Sequence, residues 1–282
     1  MPPQSRYLRC REREVHFVEW GRTDAPALVL WHGLLRTGRD FDDLAGALAD
    51  TYRIICPDTP GRGLSQWSPE PRTEYTLSFY IDVAAALADV LGIQRMRWVG
   101  TSMGGGIGIA AATTALRGRI THLVLNDMAP TVARAAVERI AAYASAPPEL
   151  ETMTAFEEYL RTIYRSYGWL SDAQWRRMAE TSARRLPSGA VTTHYDPAVG
   201  SAFASGRASD FEQWAAYDAL RIPTLVLRGA GSDLLPPEIA HQMTQRGPRA
   251  QLVEIAGCGH APALNVAGQF EVVAAFLAQD SA

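Results

Sequence analysis

The sequence predicts an α/β protein with a doubly wound, mostly parallel sheet and one helical insertion. The first observation is that short apolar runs alternate with amphipathic stretches along most of the chain. Residues 27–31 (ALVLW) are apolar throughout, as expected for a strand buried on both faces of a parallel sheet, and helical spacing follows at residues 41–49. The second observation is a stretch at residues 130–214 that is helical in pattern and lacks strand periodicity. Together they indicate a layered α/β core with a separate helical segment.

The predicted elements of the core follow one another in a regular order. Residues 6–20 indicate two short strands with a tight connection. Further strands are predicted at residues 27–31, 52–56, 96–99, 120–125, 223–227 and 251–255. Helices are predicted at residues 41–49, 78–91, 104–116 and 266–278. Gly92 follows the second helix, which is a typical position for glycine at a helix end.

The insertion is rich in aromatic side chains. These are Tyr143, Phe156, Tyr159, Tyr164, Tyr167, Trp169, Trp175 and Trp214. A helical segment with this much aromatic surface cannot bury all of it internally, so we expect it to pack on the loop edge of the sheet. The predicted organisation is a core of residues 1–129 and 215–282 with a helical lid at residues 130–214.

Composition limits the possible partners and the compartment. The chain has 282 residues, of which 47% are hydrophobic, and its formal charge is −3, so nothing favours nucleic acid or an anionic membrane as a partner. The polar start has no apolar signal-peptide region, and no run approaches the length of a membrane span. Cys10, Cys56 and Cys258 are far apart, which favours neither a metal site nor a disulfide framework. We expect a cytoplasmic monomer or homodimer without a cofactor or metal.

The most informative motif is G-x-S-x-G at residues 100–104 (GTSMG), between a predicted strand and an Ala-rich predicted helix. Such a strand-to-helix turn holds a serine hydroxyl clear of the sheet, facing a base and backbone N–H donors. Small residues are needed two positions before and after the serine, because a Cβ there would crowd the backbone. The motif therefore predicts Ser102 as a nucleophile.

A serine nucleophile needs a base, and His260 is the predicted one. It lies in a glycine-containing loop (GCGHAP, residues 257–262) just past the last predicted strand, where the chain can bend and present the imidazole. His32 follows the strand at residues 27–31 and is expected to brace the adjacent loop through hydrogen bonds. The other histidines are expected to be structural or solvated: His16, His122, His194 and His241.

The acid that orients the base is predicted to be Asp233. It lies in the glycine-rich loop RGAGSDLLP (residues 228–236), 27 residues before His260, and the order Ser, Asp, His matches one known arrangement of the triad. Its carboxylate is expected within about 3 Å of His260 Nδ1. Asp127 is the rival, because it also follows a predicted strand, but a role as a helix cap or loop brace is favoured for it. Asp58 is expected to stabilise a tight turn.

The oxyanion hole requires two N–H donors directed at the developing negative charge. One is predicted to be the N–H of Met103, directly after the nucleophile. The other is expected from the loop after the strand at residues 27–31, where Gly33 permits a turn and Leu34 N–H is the predicted donor. Leu35 N–H is the alternative.

These motifs give the chain a resemblance to the α/β-hydrolase fold family over nearly its whole length, and in particular to small bacterial esterase-like members with a helical lid. The segments that carry it are 32–33, 58–65 (DTPGRGLS), 100–105, 229–233 and 259–260. The resemblance implies an eight-stranded sheet with a lid after the sixth strand, and a triad of Ser102, Asp233 and His260. Leu34-Leu35 departs from the aromatic-proline pair common in the family's oxyanion motif. No role follows for residues 194–197 (HYDP).

Fold alone does not fix the reaction. The predicted function is a serine-dependent carboxylesterase that cleaves esters or lactones of small to medium acyl groups through an acyl-enzyme. One alternative is a C–C bond hydrolase that acts on ring-fission diketones. Such hydrolases resemble this chain at the serine turn, but they commonly have tryptophan at the position of Ala261. Another is a non-hydrolytic lyase or oxygenase on the same fold. Relatives with an aspartate nucleophile are excluded by Ser102.

Overall fold

The computed structural model describes residues 2–205 and 212–280. Its strands, numbered in chain order, are β1 (Gln4–Cys10), β2 (Arg13–Trp20), β3 (Ala27–Trp31), β4 (Arg53–Pro57), β5 (Met96–Thr101), β6 (Ile120–Asn126), β7 (Ala183–Arg185), β8 (Val191–Thr193), β9 (Thr224–Gly229) and β10 (Gln251–Ile255). Eight of them form one sheet in the order β1-β2-β4-β3-β5-β6-β9-β10. The β1–β2 and β2–β4 pairs are antiparallel and the others are parallel, which confirms the predicted sheet.

Helices cover both faces of this sheet. They are α1 (Asp42–Leu48), α2 (Pro71–Glu74), α3 (Leu77–Val90), α4 (Met103–Thr113), α5 (Arg134–Ala144), α6 (Met153–Ile163), α7 (Asp172–Ser182), α8 (Ala198–Ala204), α9 (Trp214–Ala219), α10 (Pro237–Gln245) and α11 (Ala267–Leu277). Short 3-10 helices lie at Gly38–Phe41 and Arg165–Tyr167.

Alternate side chains of β3 enter two different hydrophobic cores. Val29 and Trp31 pack in the core that contains residues of α3, α4 and α10, and the Trp31 ring stacks on Trp98 at 5.2 Å between centroids. Leu28 and Leu30 pack on the other face with residues of α1 and α11. Because both faces are buried, β3 is apolar along its length, and this is why its sequence predicted a central parallel strand.

The segment between β6 and β9 is not free of strands, so that part of the prediction was wrong. β7 and β8 form a small antiparallel ribbon whose connection includes Gly189 at φ 87°. Strands of three residues are too short to show period-two alternation, so they cannot be recognised from the sequence pattern. Residues 206–211 of the predicted lid lie outside the described residues.

A separate small core holds much of this inserted segment together. Phe156 and Trp175 are buried in it with neighbouring residues of α6, α7 and β8. Trp169, by contrast, is 70% exposed. These three rings therefore stabilise the inserted helices themselves or face solvent, and they are not among the residues that line the cavity in front of Ser102.

Residues 194–197 join the insertion to the core. His194 Nδ1 accepts a hydrogen bond from Gly63 N–H at 2.6 Å, and Asp196 N–H donates to the Gly61 carbonyl at 2.8 Å. Tyr75 Oη donates to the Asp196 carboxylate at 2.7 Å. The structure thus gives this segment a role that the sequence did not suggest, which is to fasten the insertion to the loop after β4.

Candidate active site

Ser102 occupies the sharp turn between β5 and α4. Its backbone has φ 51° and ψ −116°, a conformation that non-glycine residues rarely adopt and that is typical of strained functional positions. A Cβ on Gly100 would come within 2.2 Å of the Gly104 backbone, and one on Gly104 within 2.1 Å of the Trp31 carbonyl oxygen. The two glycines of the motif are therefore required by close backbone packing, as the sequence predicted.

Three side chains form a continuous hydrogen-bonded chain at this turn. His260 Nε2 lies 3.0 Å from Ser102 Oγ, and His260 Nδ1 lies 2.6 Å from Asp127 Oδ2. The imidazole is partly accessible, with 21% of its side chain exposed, whereas the Asp127 side chain is fully buried. A hydroxyl, an imidazole and a carboxylate in this order are the geometry of a Ser-His-Asp triad.

Asp233 does not contact His260, and the prediction that it would is wrong. Its side chain is 63% exposed and its carboxylate pairs with Arg139 Nη2 at 2.5 Å. In the loop after β9 it is Ser232 whose side chain turns inward, and its Oγ donates to Asp127 Oδ2 at 2.6 Å. The loop expected to supply the acid instead supplies a hydroxyl that supports it.

Strand register explains why Asp127 reaches the histidine. β5 and β6 are adjacent and parallel, and Thr101 pairs with Asn126, so the next residues, Ser102 and Asp127, leave the sheet side by side. Asp127 has φ 55°, which departs from the strand conformation at this point. The sequence places Asp127 directly after an apolar predicted strand, but Asp233 also comes after such a strand, and the pairing of β5 with β6 that separates them is seen only in the structure.

The Asp127 carboxylate is held by donors on both oxygens. Oδ1 accepts from Gly229 N–H at 2.9 Å, and Oδ2 accepts from Ser232 Oγ in addition to facing His260. Hydrogen bonds to both oxygens restrict the rotation of the carboxylate. The carboxylate is therefore positioned to fix the orientation of the His260 ring.

Two backbone N–H groups near Ser102 are available to a ligand. The N–H of Met103 belongs to the first turn of α4, where helical N–H groups lack intrahelical acceptors. The N–H of Leu34 has no hydrogen-bond acceptor among residues 2–205 and 212–280. Both residues line the cavity in front of Ser102, and the position of a Cβ on Gly33 would be 3.7 Å from Ser102 Cβ.

His32 and Asp58 brace the surrounding loops, as expected. Nδ1 of His32 faces the Gly33 carbonyl at 2.6 Å, and Thr59 N–H donates to its Nε2 at 2.9 Å, so the ring is neutral with its proton on Nδ1. Burial lowers the pKa of His32 to about 4, which keeps it in this form. Asp58 accepts hydrogen bonds from the N–H groups of Gly38 and Leu64.

The cavity that Ser102 and His260 enter has a volume of about 110 Å³ and is mainly apolar. Its walls come from the core and from the inserted segment. The insertion contributes Val132, Ile140, Val199, Ala202, Phe203 and Gln213. A small apolar cavity with a few polar groups at one end is the usual form of a small-molecule site.

Among residues 2–205 and 212–280, no helix is long and apolar enough to cross a bilayer. Nor do three or more histidine, cysteine, aspartate or glutamate side chains come together there as a metal-binding group.

The eight-stranded sheet, the serine turn and the apposed histidine define a hydrolase of the α/β type, and the chain belongs to the Alpha/beta hydrolase family, whose sequence pattern it matches over residues 28–275. It is 37% identical over 255 residues to a 3-hydroxybutyrate-oligomer hydrolase of Cupriavidus necator, covering 87% of this chain and 86% of that protein. It is 30% identical to a pimeloyl-(acyl-carrier protein) methyl ester esterase of Xanthomonas campestris pv. campestris over 254 residues, or 86% and 91% of the two chains. The crystal structure of an α/β hydrolase from Novosphingobium aromaticivorans superposes with a TM-score of 0.87 at 32% identity, covering 98% of each chain.

Proposed function

We propose that the protein is a serine-dependent carboxylic ester hydrolase that works through an acyl-enzyme. The observation that carries this proposal is the hydrogen-bonded chain from Ser102 through His260 to Asp127. Asp127 takes the role that the sequence had suggested for Asp233. The similarity to an esterase and to an oligomer hydrolase supports ester bonds as the target.

In the first half of the reaction Ser102 Oγ attacks the ester carbonyl carbon while its proton passes to His260 Nε2, 3.0 Å away. The carbonyl oxygen becomes an oxyanion, which accepts hydrogen bonds from the N–H groups of Met103 and Leu34. Collapse of the tetrahedral intermediate breaks the bond to the alcohol oxygen, and His260 donates its proton to that leaving group. The acyl group is then bonded to Ser102.

In the second half water takes the place of the alcohol. His260 Nε2 accepts a proton from water as its oxygen attacks the acyl carbon, and then returns the proton to Ser102 Oγ as the carboxylic acid leaves. Asp127 stabilises the imidazolium in both halves, because its carboxylate accepts the hydrogen bond from Nδ1–H.

For the substrate we propose short esters of hydroxy acids, including oligomers of 3-hydroxybutyrate. The relative from Cupriavidus necator is named for these oligomers and aligns over most of both chains. The cavity of about 110 Å³ suits a short acyl or alcohol unit better than a long chain. Its apolar walls fit the methyl-bearing carbon skeleton of such units.

We further propose that residues 130–214 act as a lid over a core of residues 1–129 and 215–282. The supporting observation is that α5 and α8 contribute cavity-lining side chains, such as Ile140 and Val199. In support, α8 directly follows residues 194–197, whose hydrogen bonds attach the insertion to the loop after β4, and α5 packs against α8.

The proposed function is tested by comparing wild-type protein with Ser102→Ala on p-nitrophenyl acetate, p-nitrophenyl butyrate and 3-hydroxybutyrate dimer. The wild type should hydrolyse all three, and removal of the nucleophile should lower kcat by about 10⁴-fold or more. A variant that keeps a tenth of the wild-type kcat would refute the acyl-enzyme mechanism. A parallel assay follows loss of the dienol chromophore of a ring-fission diketone, and preferential turnover of that compound would show C–C bond hydrolysis instead.

A further inference from the structure

Arg62 is a buried cation at the wall of the candidate active-site cavity. It lies in the loop after β4, none of its surface is exposed to solvent, and it is one of the residues that line the cavity together with Ser102 and His260. A guanidinium group is charged at any pH at which the protein is folded. Placing it in an apolar cavity is costly unless its charge and its five N–H groups are matched.

The protein supplies good hydrogen-bond acceptors for only some of the N–H groups of the Arg62 guanidinium. Nε donates to the Leu34 carbonyl at 2.9 Å, and Nη1 donates to the Pro60 carbonyl and to Tyr80 Oη at 2.8 and 2.6 Å. The contact found for Nη2 is Met103 Sδ at 3.8 Å, and a thioether is a weak acceptor. Across the described residues no carboxylate oxygen lies within 4.0 Å of the guanidinium.

Other buried arginines of this protein have the anion that Arg62 lacks. Arg36 pairs with Asp40 at 2.6 Å, and Arg228 pairs with Glu254 at 2.7 Å. The aromatic rings of Tyr75 and Tyr80 face the Arg62 guanidinium at 5.5 and 5.1 Å and give partial compensation. The Asp196 carboxylate is itself held by Tyr75 Oη and Ala198 N–H.

Resting on the esterase function proposed above, we infer that Arg62 binds a carboxylate of the substrate, so that the enzyme selects esters that also carry a free carboxylate. The acid end of a hydroxy-acid oligomer is such a group. Nη2 is the donor with unused capacity, and because no surface of Arg62 is exposed, a substrate carboxylate reaches Nη2 by displacing the Met103 thioether from it. Met103 also supplies the proposed oxyanion N–H and lines the same cavity. Ester and carboxylate would therefore occupy the same small cavity, as they do when one hydroxy-acid unit separates them.

Binding of a substrate carboxylate by Arg62 has a different consequence from structural support of the neighbouring loop. Its Nε bond to the Leu34 carbonyl orients the peptide next to the proposed oxyanion donor, and this contact would serve every ester alike. A bound carboxylate adds a charge-assisted hydrogen bond that a neutral ester cannot make. The two roles are therefore separated by the ratio of rates on charged and neutral substrates.

The test compares the free acid of the 3-hydroxybutyrate dimer with its primary carboxamide, which has nearly the same shape and no charge. For wild-type protein at neutral pH, kcat/KM should be about tenfold to a hundredfold higher for the acid, the range expected of one hydrogen bond to a charged group. Arg62→Met should bring this ratio close to one. Arg36→Met is the matched control, because Arg36 is equally buried but already paired with Asp40, and it should keep the wild-type ratio.

Equal rates on acid and amide in the wild type, or a wild-type ratio in Arg62→Met, would overturn the inference. If Arg62→Met does not fold, inhibition of the wild type by butyrate is compared with inhibition by butyramide. Butyrate should then inhibit at least about tenfold more strongly than butyramide, and equal inhibition would again contradict the inference. Failure of the esterase proposal is recognised separately, because the wild type would then also leave p-nitrophenyl acetate unhydrolysed.

Discussion

Asp127 and Asp233 allow the same substitution to be made at a buried and at an exposed aspartate of neighbouring loops. Asp127→Asn removes the negative charge next to His260 Nδ1 but keeps an oxygen that can accept from Gly229 N–H. Asp233→Asn removes an exposed partner of Arg139. The covalent change is therefore the same in both variants, but only Asp127→Asn alters a contact with His260.

The expected effects differ by several orders of magnitude. Without the carboxylate the imidazole loses its orientation and the stabilisation of its charged form, which should lower kcat about 10⁴-fold, or about 5 kcal/mol in activation free energy. The exposed Asp233–Arg139 pair contributes about 0–1 kcal/mol to stability and should leave kcat within about twofold of the wild type. Asp127→Asn also changes buried contacts with Gly229, Ser232 and His260, so the folding of this variant is measured separately.

The assay is kcat for p-nitrophenyl butyrate, with circular dichroism and urea unfolding to establish that both variants are folded. A folded Asp127→Asn variant with a tenth or more of the wild-type kcat would refute the assignment of the acid. So would a larger loss in Asp233→Asn than in Asp127→Asn.

Three further predictions follow from local contacts. Gly104→Ala should both destabilise the fold and remove activity, because its Cβ would lie 2.1 Å from the Trp31 carbonyl oxygen. Thermal unfolding measures the first effect and kcat the second, and an active variant with an unchanged Tm would contradict this prediction. Ile140→Ala should enlarge the cavity and raise the hexanoate-to-acetate ratio of kcat/KM for p-nitrophenyl esters, while the acetate rate changes little; an unchanged ratio would argue against a lid that shapes the cavity. The free energy of unfolding should fall as the pH is lowered from 6.5 to about 4. Burial lowers the pKa of His32 to about 4 and that of His194 to about 3, so in this range the unfolded chain alone binds these protons, at up to about 1.4 kcal/mol per pH unit for each histidine. His194→Asn can still accept from Gly63 N–H and should flatten this slope in urea titrations, whereas an unchanged slope would show that His194 does not titrate as described.

Much of the fold was predictable because its determinants are local. Continuous apolar runs such as residues 27–31 require burial on both faces. Gly100 and Gly104 are required because a Cβ at either position would lie 2.1–2.2 Å from neighbouring backbone atoms. The helix after the serine turn was expected at residues 104–116 and is found at Met103–Thr113. Ser102 and His260 were predictable because each lies in the loop that follows a predicted strand, β5 and β10 respectively.

The parts that escaped prediction depend on contacts between distant segments. Asp127 and Asp233 both follow strands, and only the register between β5 and β6 decides which one reaches His260. The role of residues 194–197 depends on a hydrogen bond to Gly63, 131 positions away in sequence. For Arg62 the sequence shows an arginine in a glycine-rich loop, but the shortage of an anion around it is visible only in three dimensions.

The central claim is that Ser102 is the nucleophile activated by His260, and covalent labelling tests it most directly. The wild type and Ser102→Ala are treated with an organophosphate ester that forms a stable adduct on an activated serine, then digested and mapped by mass spectrometry. One adduct is expected, on the peptide that contains Ser102, with loss of p-nitrophenyl butyrate hydrolysis in proportion to labelling and no adduct in Ser102→Ala. An adduct on another residue, or full labelling of Ser102 with activity retained, would contradict the account.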